Sequence, residues 1–219
     1  MHRHHPLPWG KLILSLVLLA SFVVSQPGAL STQAAPSIPQ AFTGITAAAW
    51  YNAAPLNAAR QEHTATLLPS GKVLVAGGYD SSGYLASVEL YDPFLNHWTT
   101  LAALEQARAA HSATVLASGK VLVVGGWYAN GVVASAEIFD PGTNTWTAAS
   151  ALESARGGHS ATLLLDGKVL VAGGEFEANE LSSSELYDPA TNTWTSVAAL
   201  RQARSSHSAT LLPSGKVLV

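Results

Sequence analysis

The chain has no cysteine and a single methionine. The first absence removes a disulfide framework, a thiolate metal site, a cysteine nucleophile and a lipid-modified cysteine anchor. Charge is also scarce. Lys, Arg, Asp and Glu make up 11% of 219 residues and sum to −3, against about 25% in ordinary soluble domains. A highly charged disordered chain, a coiled coil and a basic nucleic-acid surface are excluded with it. The sequence also lacks Gly-x-Ser-x-Gly, His-Glu-x-x-His and a phosphate-binding Gly-rich loop, so no nucleophile elbow, zincin helix or P-loop is present. What it does have is 48% hydrophobic residues together with 18 Gly and 11 Pro. That combination suits a turn-rich, all-β protein.

One apolar run stands apart. After a head bearing Arg3 and Lys11, residues Leu12 to Val24 carry no charge, and small residues fill Ser25 to Ala35. This is the order of a secretory signal peptide, with cleavage expected after Ser31 or Ala34. The run is shorter than the ~20 residues of a membrane span. Residues 1–34 are therefore read as an address, and the protein is expected to be secreted, extracellular or cell-surface, or periplasmic where there is an outer membrane. His2, His4 and His5 fall in that segment and are not read as a metal tract. Its removal leaves nine basic residues against fourteen acidic ones.

The remainder repeats every 48 residues. Arg60, Arg108, Arg156 and Arg204 keep that step, as do His63, His111, His159 and His207. So do Lys72, Lys120, Lys168 and Lys216, Trp50, Trp98, Trp146 and Trp194, and Glu89, Glu137 and Glu185. Each unit reads as four short strands. In the second unit strand A is His111–Leu116, strand B Lys120–Gly126, strand C Ser135–Asp140, and strand D surrounds Trp146. Ser118-Gly119 reads as a two-residue hairpin loop between A and B. The unbroken apolar character of strand B predicts burial on both faces. Four strands per unit, repeated, describe the blades of a β-propeller.

The pattern resembles the kelch repeat. The resemblance rests on the doublets Gly77-Gly78, Gly125-Gly126 and Gly173-Gly174. It rests also on Tyr91, Phe139 and Tyr187, each seven residues before Trp98, Trp146 or Trp194. It covers residues 44–219 and implies a kelch-type propeller with complete blades at 59–106, 107–154 and 155–202. Residues 35–58 are read as a linker with one outer strand at Trp50, and 203–219 as the first two strands of a further blade. Family members commonly have six or seven blades, so an incomplete propeller with an open, aggregation-prone edge is expected. The alternative is a four-bladed ring closed by the Trp50 strand but lacking strand C.

The periodic charged residues are assigned structural roles. Arg108 and its equivalents are expected to pair with strand-C glutamates, Glu89 or Glu137, and brace adjacent blades. The histidines, one per unit, are expected to hydrogen-bond backbone between blades and not to form a metal ring. The A–B and C–D turns are nearly invariant between units. The B–C loops differ: YDSSGYLA from Tyr79, WYANGVVA from Trp127, EFEANELS from Glu175. Tyr79, Asp80, Tyr84, Trp127, Tyr128, Asn130, Glu175, Phe176, Glu177 and Glu180 therefore become the ligand-binding candidates, with Glu62 beside them. Aromatic rings cover sugar or peptide CH surfaces, and carboxylates accept hydroxyl or amide hydrogens. The expected role is an exported, non-catalytic binding or scaffold protein for a glycan, peptide or protein, with no cofactor. The alternative implied by the resemblance is part of a galactose-oxidase-like enzyme. Those enzymes use copper and a Tyr–Cys cross-link, which a chain without cysteine cannot form within itself. Sialic-acid-processing kelch enzymes are a further exported possibility that no residue specifically favours.

Overall fold

The structure is a computed structural model that describes residues 52–219. The expectations for the signal segment and the Trp50 strand fall outside these residues. The described chain is all-β.

The first blade comprises β1 (Thr64–Leu67), β2 (Val73–Ala76), β5 (Val88–Asp92) and β6 (His97–Thr100), hydrogen-bonded in the order β1-β2-β5-β6. Between β2 and β5 lies a small hairpin of β3 (Tyr79–Asp80) and β4 (Gly83–Tyr84). The second blade repeats this with β7 (Ser112–Val115), β8 (Val121–Val124), β9 (Trp127–Tyr128), β10 (Gly131–Val132), β11 (Ala136–Asp140) and β12 (Thr145–Ala149). The third has β13 (Ser160–Leu163), β14 (Val169–Ala172), β15 (Glu175–Phe176), β16 (Asn179–Glu180), β17 (Ser184–Asp188) and β18 (Thr193–Val197). β19 (Thr210–Leu211) and β20 (Val217–Leu218) pair with each other after it. All pairings are antiparallel, and β1, β7, β13 and β19 are neighbours in succession. The blades do not close into a ring among the described residues.

Packing explains the apolar strand B. Val121 and Val123 of β8 join the core shared with blade one, beside Leu74, Val88 and Leu104. Leu122 and Val124, on the other face, join the core shared with blade three, beside Val169, Val171 and Tyr187. The period-two geometry of a strand thus divides one run between two cores, and all four residues are fully buried.

The A–B turn differs from the expected two-residue loop. The Leu68 N–H donates to the Lys72 carbonyl at 2.8 Å, and the Gly71 N–H to the Leu68 carbonyl at 2.9 Å. Three residues therefore lie between the closing pair, with Gly71 left-handed at φ +81°. This is a type I turn followed by a bulge, which needs αL at its third position. A Ser-Gly dipeptide does not by itself distinguish this loop from a two-residue one.

Three interblade devices recur. The Trp98, Trp146 and Trp194 indole N–H groups donate at 2.8 Å to the carbonyls of Ala54, Ala102 and Ser150, which follow the preceding D position. The N–H groups of the same three residues donate to Asn96, Asn144 and Asn192. These asparagines sit at positive φ in the C–D turns. The rings of Tyr91, Phe139 and Tyr187 stack beside the tryptophans at 4.9 Å, because the seven-residue spacing makes them register partners across strands C and D. A peptide chain also crosses the blades: Ala110 N–H donates to Glu62, Gly158 to Ala110, and Ser206 to Gly158. All four residues are held near φ +50 to +62°.

Candidate functional site

The buried charges have structural partners. The Arg108 guanidinium, fully buried, donates to Glu137 Oε1 at 2.7 Å, to the Gly125 and Ser135 carbonyls and to the Ser135 hydroxyl. Glu137 also accepts the N–H groups of Glu105 and Gln106. Arg60–Glu89 and Arg156–Glu185 repeat this at 2.6 and 2.7 Å. Each arginine therefore pairs with the glutamate of its own unit, which settles Arg108 on Glu137 and gives Glu89 to Arg60. The pair also braces the preceding unit, through Glu105 and Gln106, and the Arg108 carbonyl accepts the Gly78 N–H of that blade at 2.8 Å. Lys72, Lys120 and Lys168 pair near the surface with Asp92, Asp140 and Asp188 at 3.0, 3.0 and 3.1 Å, tying each A–B turn to its C–D turn.

The histidines depart from the expectation. Their Nε2 atoms meet hydroxyls, not backbone: His111 on Thr64 at 2.9 Å, His159 on Ser112 at 2.8 Å and His207 on Ser160 at 3.0 Å. The residue that follows each histidine on strand A carries a hydroxyl, and adjacent strands A bring it to the next blade's ring. The Nδ1 atoms are buried without a partner. The glycine doublet makes room for the ring: a Cβ on Gly77 would lie 2.8 Å from His111 Cε1 and 2.5 Å from the Arg108 carbonyl. Burial, reinforced by Arg108 and Arg156, pushes His111 and His159 down to about 3.

A Ser–His contact of 2.8 Å has the separation of a nucleophile and its base. Here no carboxylate orients Nδ1, and a ring that resists protonation to about pH 3 is a poor acceptor for the serine proton. The pairs are interblade ties. Among the described residues no three His, Asp or Glu side chains converge as a metal set. Of the periodic histidines, one per blade, His111, His159 and His207 each meet a hydroxyl of the preceding blade.

The ten candidates all lie on or beside the small B–C hairpins. The expected loops are ordered two-stranded ladders, each tied by an isolated bridge to the D–A connection that leads into its own blade: Gln61 with Tyr79, Ala109 with Trp127, Gly157 with Glu175. Their register sets side chains opposite one another. Tyr79 faces Tyr84, with rings edge-on at 5.1 Å. Trp127 faces Val132, and Glu175 faces Glu180. Burial and the Glu62 charge raise the Tyr84 pKa. Trp127 is half-buried against Gly157, where a Cβ would lie 2.4 Å from its Nε1. Tyr128 is half-buried, Asn130 is exposed at the β9–β10 turn, and Phe176 is exposed.

Two candidates serve their own turns. Asp80 accepts the Ser82 N–H at 2.7 Å and its hydroxyl at 2.6 Å, and these bonds hold its carboxyl below the usual range. Glu177 and Ala178 form the β15–β16 turn at φ 47° and 65°, a left-handed pair built without glycine. Glu180 approaches the Ser205 hydroxyl at 3.4 Å. The structure brings the candidates together within each hairpin. Two open clefts lie away from the hairpins, one around Gln106, Glu137 and Ala149, the other on the opposite turn face.

The residues that sequence reasoning missed are the receivers. Ser87, Ser135 and Ser183 accept from the arginines, Asn96, Asn144 and Asn192 clasp the neighbouring blade, and Thr64, Ser112 and Ser160 meet the histidines. All three sets recur at the 48-residue step, which was the available signal.

No curated protein matches the chain. Among solved structures, YjhT is similar with a TM-score of 0.63 and 20% identity, over 72% of this chain. The match covers 57% of the YjhT chain, so it speaks for the fold alone. The KLHDC2/KLHL20/DRC7 Kelch-repeats domain model matches residues 45–219. With that match over the blades, glycine doublets and tryptophan clasps described above, the chain belongs to the kelch-repeat family.

Proposed function

We propose that this is an exported recognition or scaffold protein whose B–C hairpins present a ligand-binding face to a glycan, peptide or protein. The kelch-repeat propeller fold points to a binding or scaffold role. The finer reading is supported by one observation above all. At the register-paired hairpin positions the three blades carry Tyr/Tyr, Trp/Val and Glu/Glu, while the bracing residues hardly vary. A rigid scaffold with one set of differing side chains concentrates binding there. The exposed faces of Tyr79 and Phe176 suit apolar CH surfaces, and Glu175 and Glu180 suit hydroxyl or amide hydrogens.

Glycan and peptide arrays test the face. Phe176→Ala and Tyr79→Ala are expected to lose binding with unchanged melting temperature, whereas Trp127→Ala should also lower stability through its contact with Gly157. Hits that survive all three substitutions would remove the assignment. Export is tested by mass spectrometry of protein from the medium. A mature N-terminus at Thr32 or Ala35 is expected, and an intact Met1 in exported protein sinks the signal-peptide reading.

A further inference from the structure

The β9–β10 turn of the second blade carries Asn130 followed by Gly131, the one Asn-Gly pair in the sequence. Blades one and three have Ser82-Gly83 and Ala178-Asn179 in the same repeat slot. Asn130 is exposed, Gly131 is held at φ +127°, and a Cβ on that glycine would meet nothing within 4 Å. Each of the other two turns has a side-chain tie. In blade one Ser82 donates its N–H and its hydroxyl to Asp80, and in blade three the Asn179 amide donates to the Glu177 carbonyl at 3.1 Å. Tyr128 fills the Asp80 slot of blade two, and among the described residues no side chain hydrogen-bonds to its turn. Only the register pairs Tyr128–Gly131 and Trp127–Val132 close this hairpin, and so short a ladder is marginal on its own. Its end pair opens without disturbing the blade.

We propose that Asn130 is a site of spontaneous deamidation through a succinimide ring. When the turn opens, the Gly131 backbone nitrogen attacks the Asn130 Cγ. The new C–N bond closes the imide, the Cγ–Nδ2 bond breaks, and the proton of the glycine nitrogen leaves with Nδ2 as ammonia. Water then opens either imide carbonyl. One route leaves aspartate at position 130. The other leaves isoaspartate, whose main chain runs through the side-chain carboxyl. A water is consumed and an ammonia released, and no oxidant or second protein is needed. Glycine suits the step because it sets no side chain beside the attacking nitrogen. The other described asparagines precede Ala, His, Thr or Glu, and Asn96, Asn144 and Asn192 are also clasped to the neighbouring blade. The product puts a negative charge next to Tyr128 on the hairpin face. Its isoaspartate form adds a methylene to the backbone, which breaks the Tyr128–Gly131 pairing.

Warming the intact protein at neutral pH for several weeks, with peptide mapping by mass spectrometry, tests this. Asn130 is expected to convert faster than every other asparagine by about tenfold or more, a barrier lower by ~1.4 kcal/mol. Electron-transfer fragmentation tells isoaspartate from aspartate. Both are expected at position 130, with isoaspartate in excess, because the imide yields both whereas direct hydrolysis of the amide yields aspartate alone. Asn130→Gln keeps an exposed amide in the turn but needs a larger ring, so the acidic charge variants of the natural chain should not accumulate in it. An Asn130 that converts no faster than the other asparagines overturns the proposal. So does a product free of isoaspartate, or acidic variants that form at the natural rate in Asn130→Gln.

Discussion

Lowering the pH should unfold the blades well before the carboxylates titrate. His111 and His159 are 7% and 9% exposed, and their folded values sit near 3 against an ordinary 6.5. A depressed histidine value means that the unfolded chain takes up protons below pH 6.5 while the folded chain does not. Stability is therefore complete above about pH 6.5 and falls as pH drops towards 3. Each group contributes about 1.4 kcal/mol per pH unit in that window, so the two together cost about 5 kcal/mol at pH 4.5. That is comparable with the whole ~5–15 kcal/mol stability of a domain. His63 and His207 shift in the same direction. Asp80, Asp92, Asp140 and Asp188 also have lowered values, so they lose stability in the same direction, but only as the pH falls below about 3.8. The assay is urea unfolding followed by tryptophan fluorescence between about pH 7.5 and 4.5. His159→Gln keeps an amide beside Ser112 and should flatten the slope by about one proton, or ~1.4 kcal/mol per pH unit. A stability flat to pH 4.5, or a slope unchanged in His159→Gln, refutes the reasoning.

The other perturbations separate buried from exposed features. Glu137→Ala leaves the Arg108 guanidinium buried without its charge partner and should cost about 3–5 kcal/mol, while Lys120→Ala at the surface should cost below about 1 kcal/mol, both by denaturant titration. Gly125→Ala drives a Cβ to 2.4 Å from the Arg156 carbonyl, whereas Gly119→Ala meets only Pro69 at 3.9 Å and suffers backbone strain alone. The first should abolish a cooperative melt and the second lower stability by about 1–2 kcal/mol. Gly157→Ala should displace the Trp127 indole and shift its fluorescence. An unchanged spectrum would show that the ring does not rest on Gly157.

Much of the architecture was legible because it repeats. Strand B had to be buried on both faces, since Val121-Leu122-Val123-Val124 offers no polar side to water, and the two cores confirm it. The Tyr91–Trp98 spacing of seven residues becomes a cross-strand pair once a turn is placed between them. Loop geometry was less legible. The Ser-Gly of the A–B turn is compatible with two hairpin classes, and only the Leu68–Lys72 closing pair separates them. The B–C segments looked like irregular loops, yet each closes a two-residue ladder whose stability comes partly from bridges to distant D–A residues. No local pattern encodes such a partner.

The division between scaffold and site follows from the same physics. Residues whose partners recur with the repeat, such as Arg108 on Glu137 of its own unit and His111 and Trp146 on Thr64 and Ala102 of the preceding one, must keep their 48-residue step, because a change leaves a buried donor or charge unsatisfied. Residues whose contacts stay inside one hairpin or face solvent are released from it. Tyr79, Trp127 and Glu175 occupy one repeat slot and share no chemistry. At Phe94 and Leu95 the turn backbone is set by Asp92 and Asn96, so the two positions between them can change without disturbing the fold.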